Sequence, residues 1–158
     1  MISESNQATR IDLRRAQASD AEAVELLYRD LVSDSTIRVL PEHVATLAES
    51  PSSFLIVGCS SGIVCATALL TLCPDVMYLR QPFGLIENLI VAERNRGAGI
   101  GRRLMKYIEA VARDHYCTKL MLLSASHRHT AHRFFEAVGF EGTKKTGFVK
   151  YGSKFRTT

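Results

Sequence analysis

The stretch LIENLIVAERNRGAGIGRRL, residues 85 to 104, decides how this chain of 158 residues is organised. Its first half is an apolar segment that carries one carboxylate, Glu87, and predicts a strand. Its second half holds three alternating glycines, Gly97, Gly99 and Gly101, and opens an amphipathic helix. Glycine lets backbone approach a ligand closely, and the first amides of a helix point outward at the positive end of its dipole. The stretch therefore predicts a pyrophosphate cradle beside a candidate base.

Two other phosphate-binding motifs can be compared with this turn. A Walker loop ends in Gly-Lys-Ser/Thr, which this segment lacks. The dinucleotide fingerprint needs GxGxxG and an acid about 20 residues further on. Here the glycine spacing is GxGxG, and the next strand ends in Ser124 rather than in an acid. Both alternatives are weak. A glycine turn that only packs helix against strand stays open at this stage.

The elements on either side of this stretch predict a mixed sheet. The strand from Leu85, the helix from about Gly99 to Tyr116 and the apolar run 119 to 124 form a crossover, so the two strands should be parallel. Upstream, a strand over 9 to 16 precedes a helix capped by Ser19 with Glu22. The order is completed by a helix from Pro41, a hairpin turning near 60 to 62, a helix near 128 to 138 and short strands near 140 to 142 and 146 to 152.

Composition narrows the class of protein. The length favours one domain over residues 1 to 158, with 1 to 8 as a loose tail. A net charge of +4 fits an anionic ligand but does not by itself indicate nucleic acid. No apolar run is long enough for a membrane span, and the N-terminus lacks a signal core. The four cysteines show no CxxC pairing, which predicts reduced thiols in the cytoplasm, and the histidines lack partners at metal-ligand spacing, so we expect no metal.

Two blocks of sequence resemble the GNAT superfamily of N-acetyltransferases. Arg96-x-x-Gly99-x-Gly101 after an apolar strand is similar to the family's acyl-coenzyme A motif, Gln/Arg-x-x-Gly-x-Gly/Ala. The segment AHRFFEAVGF, residues 131 to 140, looks like the family's helix and turn A-x-x-F-Y-x-x-x-G-F. The resemblance is close from about 85 to 140, and the element order extends it over roughly 9 to 152.

The resemblance implies an α/β (α+β) fold with a GNAT-like, mostly antiparallel sheet, helices on both faces and splayed central parallel strands. The pantetheine arm of acetyl-CoA would lie in the gap between those strands, paired with the backbone of Leu89 and Val91. Amides of residues 96 to 102 would hold the pyrophosphate. The cofactor-binding residues implied are Leu89, Ile90, Val91, Arg96, Gly97, Ala98, Gly99, Ile100, Gly101, Arg102 and Phe135.

Glu87 is the candidate catalytic residue. Period-two alternation puts it on one face with Leu89 and Val91. Burial there would disfavour the charged carboxylate and so suit a general base. In many relatives an acid at this place acts as that base. A structural, salt-bridged glutamate is the alternative. Phe135 stands where the family often has a tyrosine that protonates the leaving thiolate, so either the thiolate leaves unassisted or Tyr151, water or the substrate supplies a proton.

The function expected from these features is acetyl transfer from acetyl-CoA to a primary amine by direct attack on the thioester. A catalytically silent acyl-CoA sensor and an acyltransferase with another donor or acceptor remain as alternatives. The acceptor, a small molecule or a peptide amine, is unreadable and should meet residues 20 to 50, the loop 74 to 83 and the C-terminal strands. We expect neither a nucleic-acid nor a membrane partner, and a homodimer by analogy only.

Overall fold

The computed structural model describes residues 10 to 155, so the predicted tail at residues 1 to 8 lies outside the described residues. Residues through Leu122 and residues from Leu123 onward form two compact units. The first unit holds a five-stranded sheet and three α-helices, and the second holds one α-helix. None of the helices described has the length and apolar character needed to cross a membrane.

The sheet of the first unit runs in sequence order. Its strands are β1 (Ile11–Arg15), β2 (Ser53–Ser60), β3 (Ile63–Cys73), β4 (Phe83–Val91) and β5 (Leu120–Leu122). The first four strands pair antiparallel, and β5 pairs parallel to β4. That parallel pair follows from the helical crossover between the two strands. The mixed, mostly antiparallel sheet predicted from the sequence is confirmed.

Helices cover both faces of this sheet. On one face lie α1 (Ala21–Val32) and α2 (Pro41–Ala48), whose Val24 and Val44 pack with Leu55 and Val57 of β2 in a buried cluster. On the other face lies α3 (Ile100–Asp114), which buries one stripe of side chains: Ile100, Leu104, Met105, Ile108 and Ala112. Adjacent strand residues point to opposite faces, so Ile56 points to the α3 face while Leu55 and Val57 point to the face of α1 and α2.

The start of α1 differs from the prediction. Ser19 lies inside a short 3-10 turn, Ala18–Asp20, and does not cap the helix. Asp20 organises the turn: its Oδ2 accepts the amide of Gln17 at 2.7 Å, and its carboxylate receives both terminal nitrogens of Arg14 at 2.7 and 2.9 Å. The Arg14 guanidinium lowers the pKa of Asp20. A carboxylate bridging strand and turn thus replaces the predicted serine cap.

The second unit corrects the prediction for the C-terminus. Its helix, α4 (His129–Ala137), lies where the sequence places it. The strands predicted at 140 to 142 and 146 to 152 do not form, and these segments are turns and irregular chain, with a 3-10 turn at Gly152–Lys154. Phe148 is 91% exposed, and Val149 and Tyr151 are exposed too. Alternating residue types do not make a strand without backbone partners and a face to bury.

Candidate functional site

A β-bulge interrupts β4 beside the candidate base. Leu69 of β3 pairs with Glu87, and Thr67 pairs with Ile90, so Asn88 and Leu89 together oppose one residue of β3. Asn88 adopts a left-handed backbone with φ of 54°. Such bulges bend a strand and re-aim side chains. The local alternation of β4 therefore changes phase at this position.

The bulge changes which residues share a face with Glu87. Directly opposed residues of an antiparallel pair point to the same side. Glu87 and Ile90 therefore lie on the face of Leu69, which packs against the α1 and α2 cluster, while Val91 pairs with Ala66 and lies on the α3 face. The prediction that Glu87 shares a face with Val91 is wrong because the extra residue reverses the alternation. The predicted burial of Glu87 is also wrong, since its side chain is exposed.

The pairing of β4 with β5 is short. It covers three pairs, from Gly84 with Leu120 to Ile86 with Leu122. Beyond Ile86, β4 continues through Val91 along β3 only. A strand without a partner on one side presents backbone donors and acceptors that an extended ligand can pair with. The segment Glu87–Val91 is such an edge, and it leads directly to the glycine turn.

The glycine turn is open and adopts the left-handed backbone that its glycines permit. Gly97 and Gly99 have φ of 81° and 76°, a region that favours glycine, and a Cβ added to either would meet no atom within 4 Å. Gly99 is the N-cap of α3, and its carbonyl accepts a hydrogen bond from the amide of Arg103. Over the described chain, the amides of Gly97 through Gly101 donate to no other protein group. They are free to bind an anion at the helix N-terminus.

Two contacts modify the predicted cradle. The amide of Arg96 donates to Glu93 within a short 3-10 turn, so it is not free for a ligand. The Arg96 side chain donates from Nε to the Val91 carbonyl at 3.0 Å, which ties the turn to the end of β4. Arg94, Arg96, Arg102 and Arg103 are all exposed around the turn, so four guanidinium groups supply positive charge. The Oδ1 atom of Asn95, buried here without a protein partner, is an acceptor that a ligand or water can satisfy.

Phe135 and two histidines of α4 contact other groups of the protein. Phe135 is 9% exposed and packs edge-on against Phe140, with ring centroids 6.1 Å apart. His132 Nε2 lies 3.0 Å from the carbonyl of Ala125, and its ring meets that of His129. Among residues 10 to 155, no three His, Cys, Asp or Glu side chains gather in a way that could hold a metal.

A polar cluster beneath the bulge was missed from the sequence. Tyr28 on α1 is half-buried near Thr67 and Asn88, and burial raises the pKa of its phenol. Thr67 is fully buried and donates its hydroxyl to the Ile56 carbonyl at 2.9 Å. In the sequence Tyr28 falls within the apolar stripe of a helix, so only its hydroxyl indicated a polar neighbour.

Comparison with known proteins agrees with this geometry. Residues 22 to 140 match the family described as Acetyltransferase (GNAT) family. An aminoglycoside N(6′)-acetyltransferase type 1 from Stenotrophomonas maltophilia is 27% identical over 87% of this chain and 91% of its own.

Among solved structures, a protein of Agrobacterium tumefaciens C58 to which acetyltransferase activity is ascribed is 30% identical. It superposes with a TM-score of 0.80 over 89% of this chain and 99% of its own. AAC(6′)-Iy, solved with a bisubstrate analogue, CoA-S-monomethyl-acetylneamine, has a TM-score of 0.76 over 90% of this chain and 99% of its own. At 14% identity this last likeness concerns the fold alone.

Proposed function

The chain belongs to the acetyltransferase (GNAT) family, and we propose that it moves the acetyl group of acetyl-CoA to a primary amine of a small cationic molecule. One observation carries this proposal: the unpaired edge of β4, with its bulge, runs directly into an open glycine turn at the N-terminus of α3. An edge strand suits an extended arm that carries amides, and the turn suits a diphosphate. Coenzyme A contains both parts in that order.

The proposed cofactor site follows the two halves of this junction. The backbone of Leu89, Ile90 and Val91 would pair with the pantetheine arm, except that the Val91 carbonyl already accepts a bond from Arg96. The amides of Gly97 through Gly101, with Arg102 beside them, would bind the diphosphate. The open space above Gly97 and Gly99 fits such a group, because no side chain of the turn occupies it.

In the proposed reaction, the amine nitrogen attacks the thioester carbonyl carbon, the carbon–sulfur bond breaks, and coenzyme A leaves with its sulfur. We assign Glu87 as the base that takes a proton from the ammonium, directly or through water. Its exposure permits exchange of that proton with solvent. As the amide forms, the nitrogen releases its second proton to water. Phe135 has no proton to give, and thiols have a pKa of about 8.5, so the sulfur can leave as thiolate and acquire a proton from water. Proximity of the two bound reactants supplies most of the rate.

Charge distribution supports a cationic acceptor. The whole chain carries +4, yet residues 20 to 50 contain seven acidic residues against two arginines, a net charge of −5. Five of these acids are exposed: Glu22, Asp30, Asp34, Glu42 and Glu49. These residues form α1, α2 and their connection, on the face of the sheet that Glu87 also faces. A negative surface there attracts cations to the base, and the aminoglycoside named for the Stenotrophomonas relative is a compound of that class.

We also propose that residues 1 to 158 act as one catalytic domain in the cytoplasm. The family match from 22 to 140 crosses the boundary between the two compact units, which supports one functional domain. The four cysteines are free thiols, as in a reducing compartment. A homodimer stays a prediction from the resemblance.

Two measurements test the proposal. Calorimetry should show binding of coenzyme A and of acetyl-CoA to the full chain. A thiol-release assay with neamine, spermidine, glucosamine 6-phosphate and an alanine-terminated peptide should show turnover, with the multiply charged amines preferred. Failure to bind either form of the cofactor would overturn the proposal. Binding without turnover on this panel would favour a silent acyl-CoA sensor, the alternative that the absence of a tyrosine at Phe135 suggests.

A further inference from the structure

The connection between α1 and α2, residues 33 to 40, has almost no core of its own. Six of its eight residues are exposed, and only Ile37 and Val39 are half-buried. Surface segments that bury little apolar area are normally mobile. A fixed conformation of this connection therefore depends on the hydrogen bonds that hold it.

Glu25 of α1 is the centre of these hydrogen bonds. Its side chain is 18% exposed, and both of its carboxylate oxygens have partners. Oε2 accepts the amide of Val39 at 2.8 Å, while Oε1 pairs with Arg29 Nη2 and lies 3.9 Å from Arg38 Nη1. Arg29 in turn donates from Nε and Nη2 to the Ile37 carbonyl at 3.4 and 3.3 Å. One carboxylate on the helix thus fastens the far end of the connection to α1.

The two arginines of residues 20 to 50 are both engaged in this arrangement. Besides its ion pair with Glu25, Arg38 donates from Nη1 to the carbonyls of Ser35 and Ile37 at 3.1 and 2.7 Å. Within the part of the chain that the structure describes, neither arginine forms an ion pair with an exposed acid of this face. The exposed acids therefore keep their charge available to a cationic ligand.

Packing relates the connection to the proposed base. Val39 and Leu69 both pack against the buried cluster that α1, α2 and β2 form. Leu69 is the residue of β3 that directly opposes Glu87, so the two point to the same side of the sheet. In addition, α1 contacts both β3 and β4. The backbone that Glu25 holds at Val39 and the side chain of Glu87 are therefore arranged around one cluster.

We infer that Glu25 is a positioning residue, which fixes residues 33 to 40 as a preformed side of the amine site. This inference rests on the proposed function, because it concerns the amine that binds beside Glu87. A segment that is already ordered adds no ordering entropy to the cost of binding. Without the carboxylate, each binding event would also have to order the connection. The KM for the amine would then rise, whereas the chemical step of the bound amine would keep its rate.

The decisive variant is Glu25→Gln, which removes the charge that holds both arginines while nearly keeping the shape of the side chain. With the best amine of the panel, KM for the amine should rise about tenfold, as expected for weakened hydrogen bonds to charged groups. The value of kcat and the dissociation constant for acetyl-CoA should stay within about threefold. Hydrogen exchange at residues 37 to 39, followed by mass spectrometry, should become faster because the Val39 amide loses a charged acceptor.

Two further variants control for charge and for folding. Glu22→Gln removes the same charge from an exposed position three residues earlier on α1, and should raise KM for the amine less than about threefold. Arg29→Lys keeps the positive charge but lacks the fork that reaches both Glu25 and the Ile37 carbonyl. It should raise KM in the same direction as Glu25→Gln. The double variant should have a KM no higher than that of Glu25→Gln alone, because both substitutions release the same segment.

The results separate this inference from the proposed function. If the wild-type chain releases no thiol with any amine of the panel, both fail together. If wild type is active and Glu25→Gln keeps the wild-type KM, only the inference fails, and a lower melting temperature alone would show a purely structural role for Glu25. The inference also fails if Glu22→Gln raises KM equally, because loss of negative charge would then be the cause, or if Glu25→Gln lowers kcat and leaves KM unchanged.

Discussion

The turn at Gly99 offers the sharpest test of the cofactor site. Gly99→Ala adds a methyl group at a position with φ of 76°, and Gly62→Ala does the same at φ of 80° in the turn between β2 and β3. A Cβ at either glycine meets nothing within 4 Å. The two substitutions are therefore matched in backbone strain and in free space. They differ in location, since only Gly99 caps the helix proposed to bind the diphosphate.

The expected magnitudes follow from these two facts. A non-glycine residue in the left-handed region costs about 1 to 2 kcal/mol. For 158 residues, with an unfolding entropy of about 2.1 cal/mol/K per residue, each variant should lose about 3 to 6 °C of melting temperature. Gly99→Ala should also weaken binding of coenzyme A by at least about tenfold, because its methyl group occupies the space of the ligand. Gly62→Ala should leave that affinity unchanged.

Calorimetric titration with coenzyme A and thermal unfolding of both variants provide the measurement. Unchanged affinity in Gly99→Ala would refute the assignment of the turn as the diphosphate site. Equal losses of affinity in both variants would show that the effect comes from general destabilisation rather than from the site.

Three further predictions concern the base, the absent acid and the ion pair at the start of α1. Glu87→Gln should lower kcat about 100-fold and leave a rate that rises steadily with pH as free amine forms, and an equal loss in Glu93→Gln, a nearby exposed glutamate, would contradict the assignment. Phe135→Tyr should change kcat in thiol release by less than about threefold, and a larger gain would show that proton supply limits the rate. Asp20→Asn should lower the melting temperature at pH 7 by about 4 to 9 °C, because the buried side chain that pairs with Arg14 loses its negative charge. Since the folded pKa of Asp20 is lowered, its stabilisation is present above about pH 4 and is lost as pH falls below, so the difference in melting temperature from wild type should shrink in acid.

Local patterns in the sequence predicted the parts of this fold that depend on neighbouring residues. The spacing of the glycines after an apolar strand was enough to place the open turn at the N-terminus of α3, because left-handed φ values at Gly97 and Gly99 are a local property of glycine. The crossover from β4 through α3 predicted the parallel pair with β5. The same local reasoning failed near residues 146 to 152, where alternation suggested a strand that lacks partners.

The surroundings of Glu87 were decided by tertiary structure alone. The bulge arises because β4 has one residue more than β3 over their paired stretch. The residue pattern within β4 does not reveal this mismatch between the strands. The bulge places Ile90 on the face of Glu87, toward α1 and α2, and sends Val91 to the α3 face. Glu87 itself is exposed. Residue types and short-range spacing determine which elements form, whereas the register between strands determines which side chains meet, because register is set by packing across the whole sheet.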